Sequence, residues 1–367
     1  MMRRSPIRVL VADDSALMRN VITRLLDKAD DIDLIATARD GEDAVKKAIE
    51  LKPDVVTMDI NMPRLDGLTA MQMILAERIC PVIMFSSLTR EGATETFECL
   101  HLGAFDFVTK PGGTVSADLD DVAKELIAKI RAAAAAGPVK VPRPRVPRPR
   151  LPLTASEPAQ LPIDGMHAIA IGISTGGPAT ISTVLPHLHA DIPAAIFLVQ
   201  HMPPAFISAY VERLGRECSI KVVEAKVGDV VRAGYCYVAG NGLHLSPYRK
   251  RNGEVVLRTP SLPRTLFVPG VDVMMESVLA VYGSKTIGVL MTGIGDDGAD
   301  QMVCIRQAGG FTIAESQESC VVFGMPCQAI QRGGAEVVLP SWKIADKLNA
   351  FLASKNPRIT ARRGLRT

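Results

Sequence analysis

The sequence is short of aromatic side chains: one Trp in 367 residues, and Phe, Tyr and Trp together at 4%. Its cores must therefore be aliphatic, and 47% hydrophobic against 22% charged residues excludes disorder throughout. No apolar run approaches the roughly 20 residues that span a bilayer. The longest, such as AIFLV at 195–199, have the length of a buried strand. The start, MMRRSPIRVLVADDS, meets two aspartates where a signal peptide needs an unbroken apolar stretch, so a cytoplasmic, uncleaved chain that is not membrane-inserted is expected. Seven cysteines, an odd number with no CxxC pair, indicate neither a zinc site nor a disulfide framework and fit a reducing compartment.

The formal charge of +3 conceals an uneven distribution. Residues 131–150 carry six Lys or Arg and no acid, and 356–367 carry four Arg and no acid; without those ten charges the remainder stands at −7. A basic face for nucleic acid would have to lie in those two segments, and no nucleic-acid partner is expected. The first segment runs into PVKVPRPRVPRPRLPLTASEPAQLPIDG, where proline removes amide donors and fixes φ. Such a stretch is extended and semi-rigid, which makes 131–164 an interdomain linker. Its PRPR repeat could also recruit an SH3-like partner, the less common use of such a run. The division expected is a domain at 5–130, the linker, a second domain at 165–353 and a basic tail at 354–367.

Before the linker, strands IRVLVA (7–12), DLIATA (33–38), DVVTM (54–58), PVIMFS (81–86) and FDFVT (105–109) alternate with helix-period stretches near 15–28, 41–51, 67–77, 91–101 and 117–134. That alternation predicts an α/β fold with a five-stranded, doubly wound parallel sheet whose active face lies at the carboxyl ends of its strands. Asp13 and Asp14 follow the first strand, Asp59 the third, Ser86 ends the fourth and Lys110 follows the fifth. Three crowded carboxylates repel one another unless a cation joins them, so a Mg²⁺ site with phosphoryl chemistry on one carboxylate is the natural expectation. An aspartate after a strand is also an ordinary helix cap, but four strand ends carrying this set together are hard to explain that way.

VLVADDS, DVVTMDINMPRLDGL, MFSS and VTKP resemble the receiver domain of two-component response regulators, a flavodoxin-like fold, across 5–130. The resemblance implies that Asp59 accepts a phosphoryl group from a histidine kinase. It implies that Asp14, Asp59 and the Asn61 carbonyl bind Mg²⁺ while Asp13 orients a metal-bound water. Ser86 and Lys110 would hold the phosphoryl oxygens, with Phe107 as the aromatic switch; relatives often carry Thr and Tyr at the Ser86 and Phe107 positions.

After the linker, strands HAIAIGI (167–173), AIFLVQ (195–200), TIGVLMT (286–292) and FTIAE (311–315) alternate with helical segments, again an α/β pattern with a mostly parallel sheet. The turn signals KVGD, GNG and RNGE within 220–268 predict inserted hairpins. Gly172, Ser174 and Gly176 fit G-x-S-x-G on a strand-to-helix turn, which alone suits a nucleophile, an anion cradle or a plain turn. His201 follows the next strand, and Asp296 and Asp297 follow TIGVLMT, so three strands deliver Ser, His and Asp to one sheet edge. A hydrolase that works through an acyl-enzyme is the best account of that set. His187, His189 and His244 have no such company and read as structural.

IGISTGGP, VQHMPPAF, MTGIGDDGADQM and SCVVFGMP resemble the catalytic domain of CheB-type chemotaxis protein-glutamate methylesterases. By that resemblance Ser174 is the nucleophile, His201 the general base and Asp297, directly before Gly298, the acid that orients the base. Backbone amides around Thr175 and Ile294 would meet the oxyanion; relatives often have Met at the Ile294 position, and some place His where Glu276 stands. The implied reaction demethylates γ-glutamyl methyl esters on methyl-accepting chemotaxis receptors, with glutamine deamidation by the same chemistry and no cofactor for the esterase step. A CheA-type histidine kinase is the implied phosphodonor, and a monomer fits the family. Domain order further suggests that the unphosphorylated receiver covers the Ser174 cleft and that phosphorylation at Asp59 favours an open state. Service in a different chemosensory array is an alternative. A DNA-binding response regulator is a weaker one, since no helix-turn-helix pattern follows the linker.

Overall fold

Period-2 and near-continuous aliphatic runs become strands, and polar residues that bond backbone amides start the helices between them. In a computed structural model, residues 5–111, 116–138 and 165–355 are described. The chain divides into two compact units, Met1–Arg148 and Pro149–Thr367.

In the first unit β1 (Ile7–Ala12), α1 (Ala16–Leu26), β2 (Ile32–Ala38), α2 (Gly41–Leu51), β3 (Val55–Asp59), α3 (Gly67–Ala76), β4 (Val82–Ser86), α4 (Arg90–Leu102), β5 (Asp106–Thr109) and α5 (Ser116–Ala136) alternate strictly. The sheet is parallel, as the alternation predicts, and its order is β2-β1-β3-β4-β5. The first four helices start on polar caps: Ser15, Asp40, Asp66 and Thr89 each accept an amide from the first turn. β3 and β4 are buried along their whole length, so helices cover both faces of the sheet centre. α5 continues to Ala136, six residues beyond the expected domain end, because Ile130 and Ala133 remain buried and Arg131 forms a bidentate pair with Asp31 at 2.8 and 2.7 Å. The expected linker and tail fall, beyond residues 138 and 355, outside the described residues.

The second unit holds β6 (His167–Ile173), α6 (Gly177–Thr180), β7 (Ala194–Gln200), α7 (Pro204–Glu217), β8 (Lys221–Glu224), β9 (Tyr235–Val238), β10 (Ser246–Arg249), β11 (Val255–Arg258), α8 (Val271–Tyr282), β12 (Thr286–Leu290), α9 (Ala299–Gln307), β13 (Phe311–Glu315), α10 (Met325–Gln331), β14 (Val337–Leu339) and α11 (Ser341–Lys355). Its seven-stranded sheet is parallel in the order β14-β13-β12-β6-β7-β9-β8. The expected hairpins reduce to one. Only RNGE joins an antiparallel pair, β10 with β11, whereas β8 and β9 extend the main sheet in parallel. The segment between those two strands crosses over without a helix and rests on β11, Val231 N donating to the Val255 carbonyl and Leu257 N to that of Asp229, at 2.9 Å each. Among the described residues no helix is long and apolar enough to cross a membrane.

Candidate active site and phosphoacceptor pocket

Parallel strands all end on the same edge, so the residue after each strand decides what that edge can do. In the first unit Asp13, Asp14 and Asp59 bring carboxylate oxygens within 4.8 Å of one another. Lys110 reaches across, its Nζ 2.9 Å from Asp13 Oδ2 and 2.8 Å from Asp59 Oδ2. Burial raises the Asp59 carboxyl above its ordinary value, and the neighbouring Asp13 and Asp14 charges add to this while Lys110 opposes it. A surface pocket of about 240 Å³ opens here, lined among others by Asp14, Asp59, Asn61, Ser86, Glu95 and Lys110. The oxygen-only donor set and its surplus of negative charge fit a hard divalent cation such as Mg²⁺.

Ser86 is buried, its Oγ accepting from Thr96 Oγ1 at 2.6 Å and donating to the Gly92 carbonyl at 3.2 Å. The Asn61 side chain donates to Glu95 at 3.1 Å. Phe107 is buried as well, and Lys129, which sequence reasoning missed, donates to its carbonyl at 2.5 Å and lies 5.2 Å from its ring centroid. Glu125 and Asp106 are the counter-charges, at 2.7 and 3.4 Å from Lys129.

In the second unit, β6 and β7 pair so that Ile173 stands opposite Gln200, and Ser174 and His201 are the next residue on each strand. Neighbouring strands are about 4.8 Å apart, so this register sets the serine beside the histidine. The Ser174 amide donates to the Thr292 carbonyl at 2.9 Å, and the His201 amide to the Ile173 carbonyl at 3.1 Å. Gly176 takes φ of +75°, closing the turn, and a side chain there would strike Val321. Gly293 lies so near that a Cβ on it would stand 2.7 Å from Ser174 Cβ, which places Ile294 beside the serine as well. The helix after the turn, α6, is a single turn of four residues.

His201 Nε2 donates to Asp297 Oδ2 at 2.8 Å, and the same carboxylate accepts the amides of Val271 and Asp272 at 2.8 and 2.9 Å. Asp297 thus serves as the missing cap of α8, whose own N-cap is Gly270. Burial pushes the Asp297 carboxyl up, but the His201 hydrogen bond and charge and the two amides outweigh it and hold it below the ordinary Asp value. Asp296 turns away to Arg332, at 2.5 Å. His201 Nδ1 is buried with no protein hydrogen-bond partner among the described residues, leaving its lone pair on the side opposite Asp297. Glu276 is exposed. His244 is buried and structural, bonded to the Pro263 carbonyl at 2.8 Å and the Gly270 amide at 3.0 Å.

Three further residues complete the site without having been legible as part of it. Phe267 stacks on the His201 ring, centroids 4.3 Å apart and planes 16° from parallel. Gln200 Nε2 donates to the carbonyls of Ser174 and His201 at 2.9 and 3.0 Å. Glu315, fully buried at the end of β13, accepts the Thr292 amide at 2.8 Å.

Known proteins carry both halves of this arrangement. Residues 9–117 match the response regulator receiver domain and 169–348 the CheB methylesterase family. The chain is 56% identical over 347 residues to protein-glutamate methylesterase/protein-glutamine glutaminase 3 of Syntrophomonas wolfei, covering 93% of this chain and 98% of that protein. It belongs to the protein-glutamate methylesterase/protein-glutamine glutaminase family. The protein of the same name from Caldanaerobacter subterraneus is 47% identical, covering 93% of this chain and 95% of its own length. Among solved structures, the Thermotoga maritima CheB methylesterase catalytic domain is 38% identical, with 51% of this chain and 98% of that one covered and a TM-score of 0.49.

Proposed function

We propose that this chain is a phosphorylation-activated serine hydrolase that removes methyl groups from γ-glutamyl esters of chemotaxis receptors and deamidates receptor glutamines by the same route. The observation that carries the reading is the register of β6 and β7, which sets Ser174 beside a histidine whose far nitrogen is held by Asp297. With Nε2–H given to Asp297, the base is Nδ1. It takes the Ser174 proton as Oγ attacks the ester carbonyl; the proton then passes to the departing methoxyl oxygen, methanol leaves, and water repeats the sequence on the acyl-serine to give glutamate. On a primary amide the leaving group is ammonia. The ionised Asp297 stabilises the transient imidazolium, and the amides of Thr175 and Ile294 face the developing oxyanion.

In the first unit Asp59 is the phosphoacceptor. Asp14, Asp59 and the Asn61 carbonyl would hold Mg²⁺, with Asp13 placed for a metal-bound water, and the ion would supply positive charge opposite the phosphoryl oxygens. Lys110 neutralises those oxygens from the protein side, and the Ser86 hydroxyl, with Phe107 behind it, responds to the new group. A CheA-type histidine kinase as phosphodonor, methyl-accepting receptors as substrate and a cytoplasmic location complete the proposal. The first domain is taken to include α5 and the second to include α11, with the proline-rich segment between them and a basic tail after.

Methanol release from methylated receptor membranes tests it, for the parent chain, Ser174→Ala and Asp59→Asn, each with and without acetyl phosphate and Mg²⁺. Ser174→Ala should release none while still taking label at Asp59, and Asp59→Asn should keep a basal rate that acetyl phosphate no longer raises. Undiminished release by Ser174→Ala, or labelling of Asp59→Asn, would defeat the corresponding assignment.

A further inference from the structure

Under the nucleophile turn lies a chain of buried hydrogen bonds that the proposed chemistry does not use directly. Glu315 Oε2 accepts the Thr292 amide at 2.8 Å, and Oε1 accepts the Ser319 hydroxyl at 2.7 Å. Ser319 Oγ in turn accepts the Ser341 amide at 2.9 Å, tying the carboxylate to the start of α11. Thr292 is where this chain meets the site. Its carbonyl accepts the Ser174 amide at 2.9 Å, its hydroxyl donates to the Thr175 carbonyl at 2.9 Å, and the same hydroxyl accepts the Val322 amide at 2.9 Å. Gly293 follows directly, donating to the Val322 carbonyl at 3.1 Å and accepting the Met325 amide at 3.0 Å.

One residue therefore bonds both members of the Ser174–Thr175 turn and begins the Gly293–Ile294 turn. Those two turns carry the amides expected at the oxyanion. A backbone amide has no side chain of its own to aim it; its direction is set by what its neighbours bond to. An oxyanion site works only if its donors need no rearrangement as charge develops, and errors of about 0.5 Å are enough to weaken it. We propose that Thr292 and Glu315 are positioning residues of the hydrolase site: together they lock the two turns in one register, so that the Thr175 and Ile294 amides converge on a single point. The inference rests on the reading of Ser174 as nucleophile.

The donor inventory says which substitutions keep the lock. Gln at 315 still offers a carbonyl to the Thr292 amide and an amide to Ser319 Oγ, whose own hydrogen can turn to the Ser316 carbonyl at 3.5 Å. Leu at 315 leaves the Thr292 amide buried and unpaired. Val at 292 keeps the shape of Thr but strips the Thr175 carbonyl and the Val322 amide of their partner, whereas Ser keeps the hydroxyl.

The test is methanol release from methylated receptor membranes by the full chain, fitted for kcat and KM, with Thr292→Val, Thr292→Ser, Glu315→Leu and Glu315→Gln beside the parent. Reaction of Ser174 with a fluorophosphonate, whose tetrahedral adduct puts an oxygen where the oxyanion sits, is the second readout. Thr292→Val and Glu315→Leu are expected to lose about ten- to a hundredfold in kcat with KM within about twofold, and to slow in fluorophosphonate labelling in parallel. The Ser and Gln variants should stay within about threefold of the parent. The proposal is overturned if the folded Val variant keeps its kcat, if KM alone rises, or if Gln at 315 is as damaging as Leu. Should Glu315→Leu not fold, Thr292→Val decides alone. Ser174→Ala run in parallel separates the two levels: release that survives it removes the nucleophile reading itself, while its loss beside undiminished Thr292→Val removes only the positioning role.

Discussion

The two sheets end in sites of opposite electrical character. At the edge of the first, three carboxylates within 4.8 Å share one protein ammonium and open onto a pocket of about 240 Å³. At the edge of the second, one carboxylate holds three N–H donors. The first is left with unbalanced negative charge, as the proposed cation and phosphoryl group require. In the second the carboxylate is matched by its donors and His201 Nδ1 is left without a partner among the described residues, as the proposed proton transfer requires. Helix starts divide the same way. In the first unit α1–α4 are capped by their own Ser, Asp or Thr, but α6–α10 begin from Gly or Pro without such a cap. The amides freed at α8 hold the Asp297 carboxylate to which His201 is bonded. Parallel sheets supply the place; what separates the two chemistries is whether the strand ends carry surplus charge or matched donors.

The sharpest way to break the second site's balance is Asp297→Asn. An amide nitrogen in place of Oδ2 would face the His201 Nε2–H and the Val271 amide, and in place of Oδ1 the Asp272 amide, so in either orientation an N–H meets a donor and the negative charge beside the imidazole is lost. Where the Asn donates to Nε2 the imidazole carries its proton on Nδ1 and has no lone pair there to act as base, and in either orientation an imidazolium loses the charge that stabilises it. We expect kcat for methanol release to fall by about 10³-fold or more, with acetyl phosphate labelling of Asp59 unchanged. Asp297→Glu, one methylene longer, should not restore it. A variant within tenfold of the parent would show that the base is not oriented through this carboxylate.

Phe267→Ala probes the same balance more gently. The ring covers one face of the imidazole, and a stacked aromatic pair contributes on the order of 1 kcal/mol beyond its buried area. Without it His201 keeps its Asp297 bond but gains freedom to rock about that bond, and water reaches its face. A roughly tenfold loss in kcat is expected, with Phe267→Tyr within about threefold because the stack survives. Equal losses in Ala and Tyr would point to the loop, not the ring, as what matters.

These residues also mark the limit of what a sequence discloses. Strand–helix alternation placed Asp59, Lys110, Ser174, His201 and Asp297 at strand ends, because periodicity and turn residues are local properties. The pairing of Ile173 with Gln200 is not local, so the sequence could bring serine and histidine to one edge without giving their register. Phe267 lies in an irregular loop with no period to place it, and nothing in PSLPRTLFVPG says that one ring of it turns inward onto an imidazole. Glu315 and Gln200 were visible as lone polar ends of FTIAE and AIFLVQ, a signal that could have been followed: a polar residue closing a buried strand must find partners there. The stretch 220–268 misled for the opposite reason. Its turn residues were real, but KVGD bends the crossover between the parallel strands β8 and β9 and GNG leads from β9 out to β10 in another sheet, and turn chemistry does not say which way the next strand runs.

The smallest expected effect lies where the second site comes nearest to the first one's crowding. Asp272 stands beside Asp297 with no cation between them. Burial, and after it the Asp297 charge, lift the Asp272 carboxyl to about 6. The folded chain therefore binds this proton more tightly than the unfolded chain, whose aspartates titrate near 3.8. The stabilisation from a protonated Asp272 is full below about pH 3.8 and is lost as the pH rises through about 6. Asp272→Asn keeps the oxygen that accepts the Gln301 amide at 3.3 Å and removes the charge. At pH 8 the variant should be the more stable by on the order of 1 kcal/mol, a figure reduced for solvent screening of a half-buried group. At pH 4 the difference should vanish. Urea unfolding followed by fluorescence of Trp342, the single Trp of the chain and part of α11, reports on the second unit alone. A gap of the same size at both pH values would mean that packing, not the charge of a second carboxylate, sets it; a gap that opens only above pH 6 would show that the hydrolase site tolerates at one position the repulsion on which the other site is built.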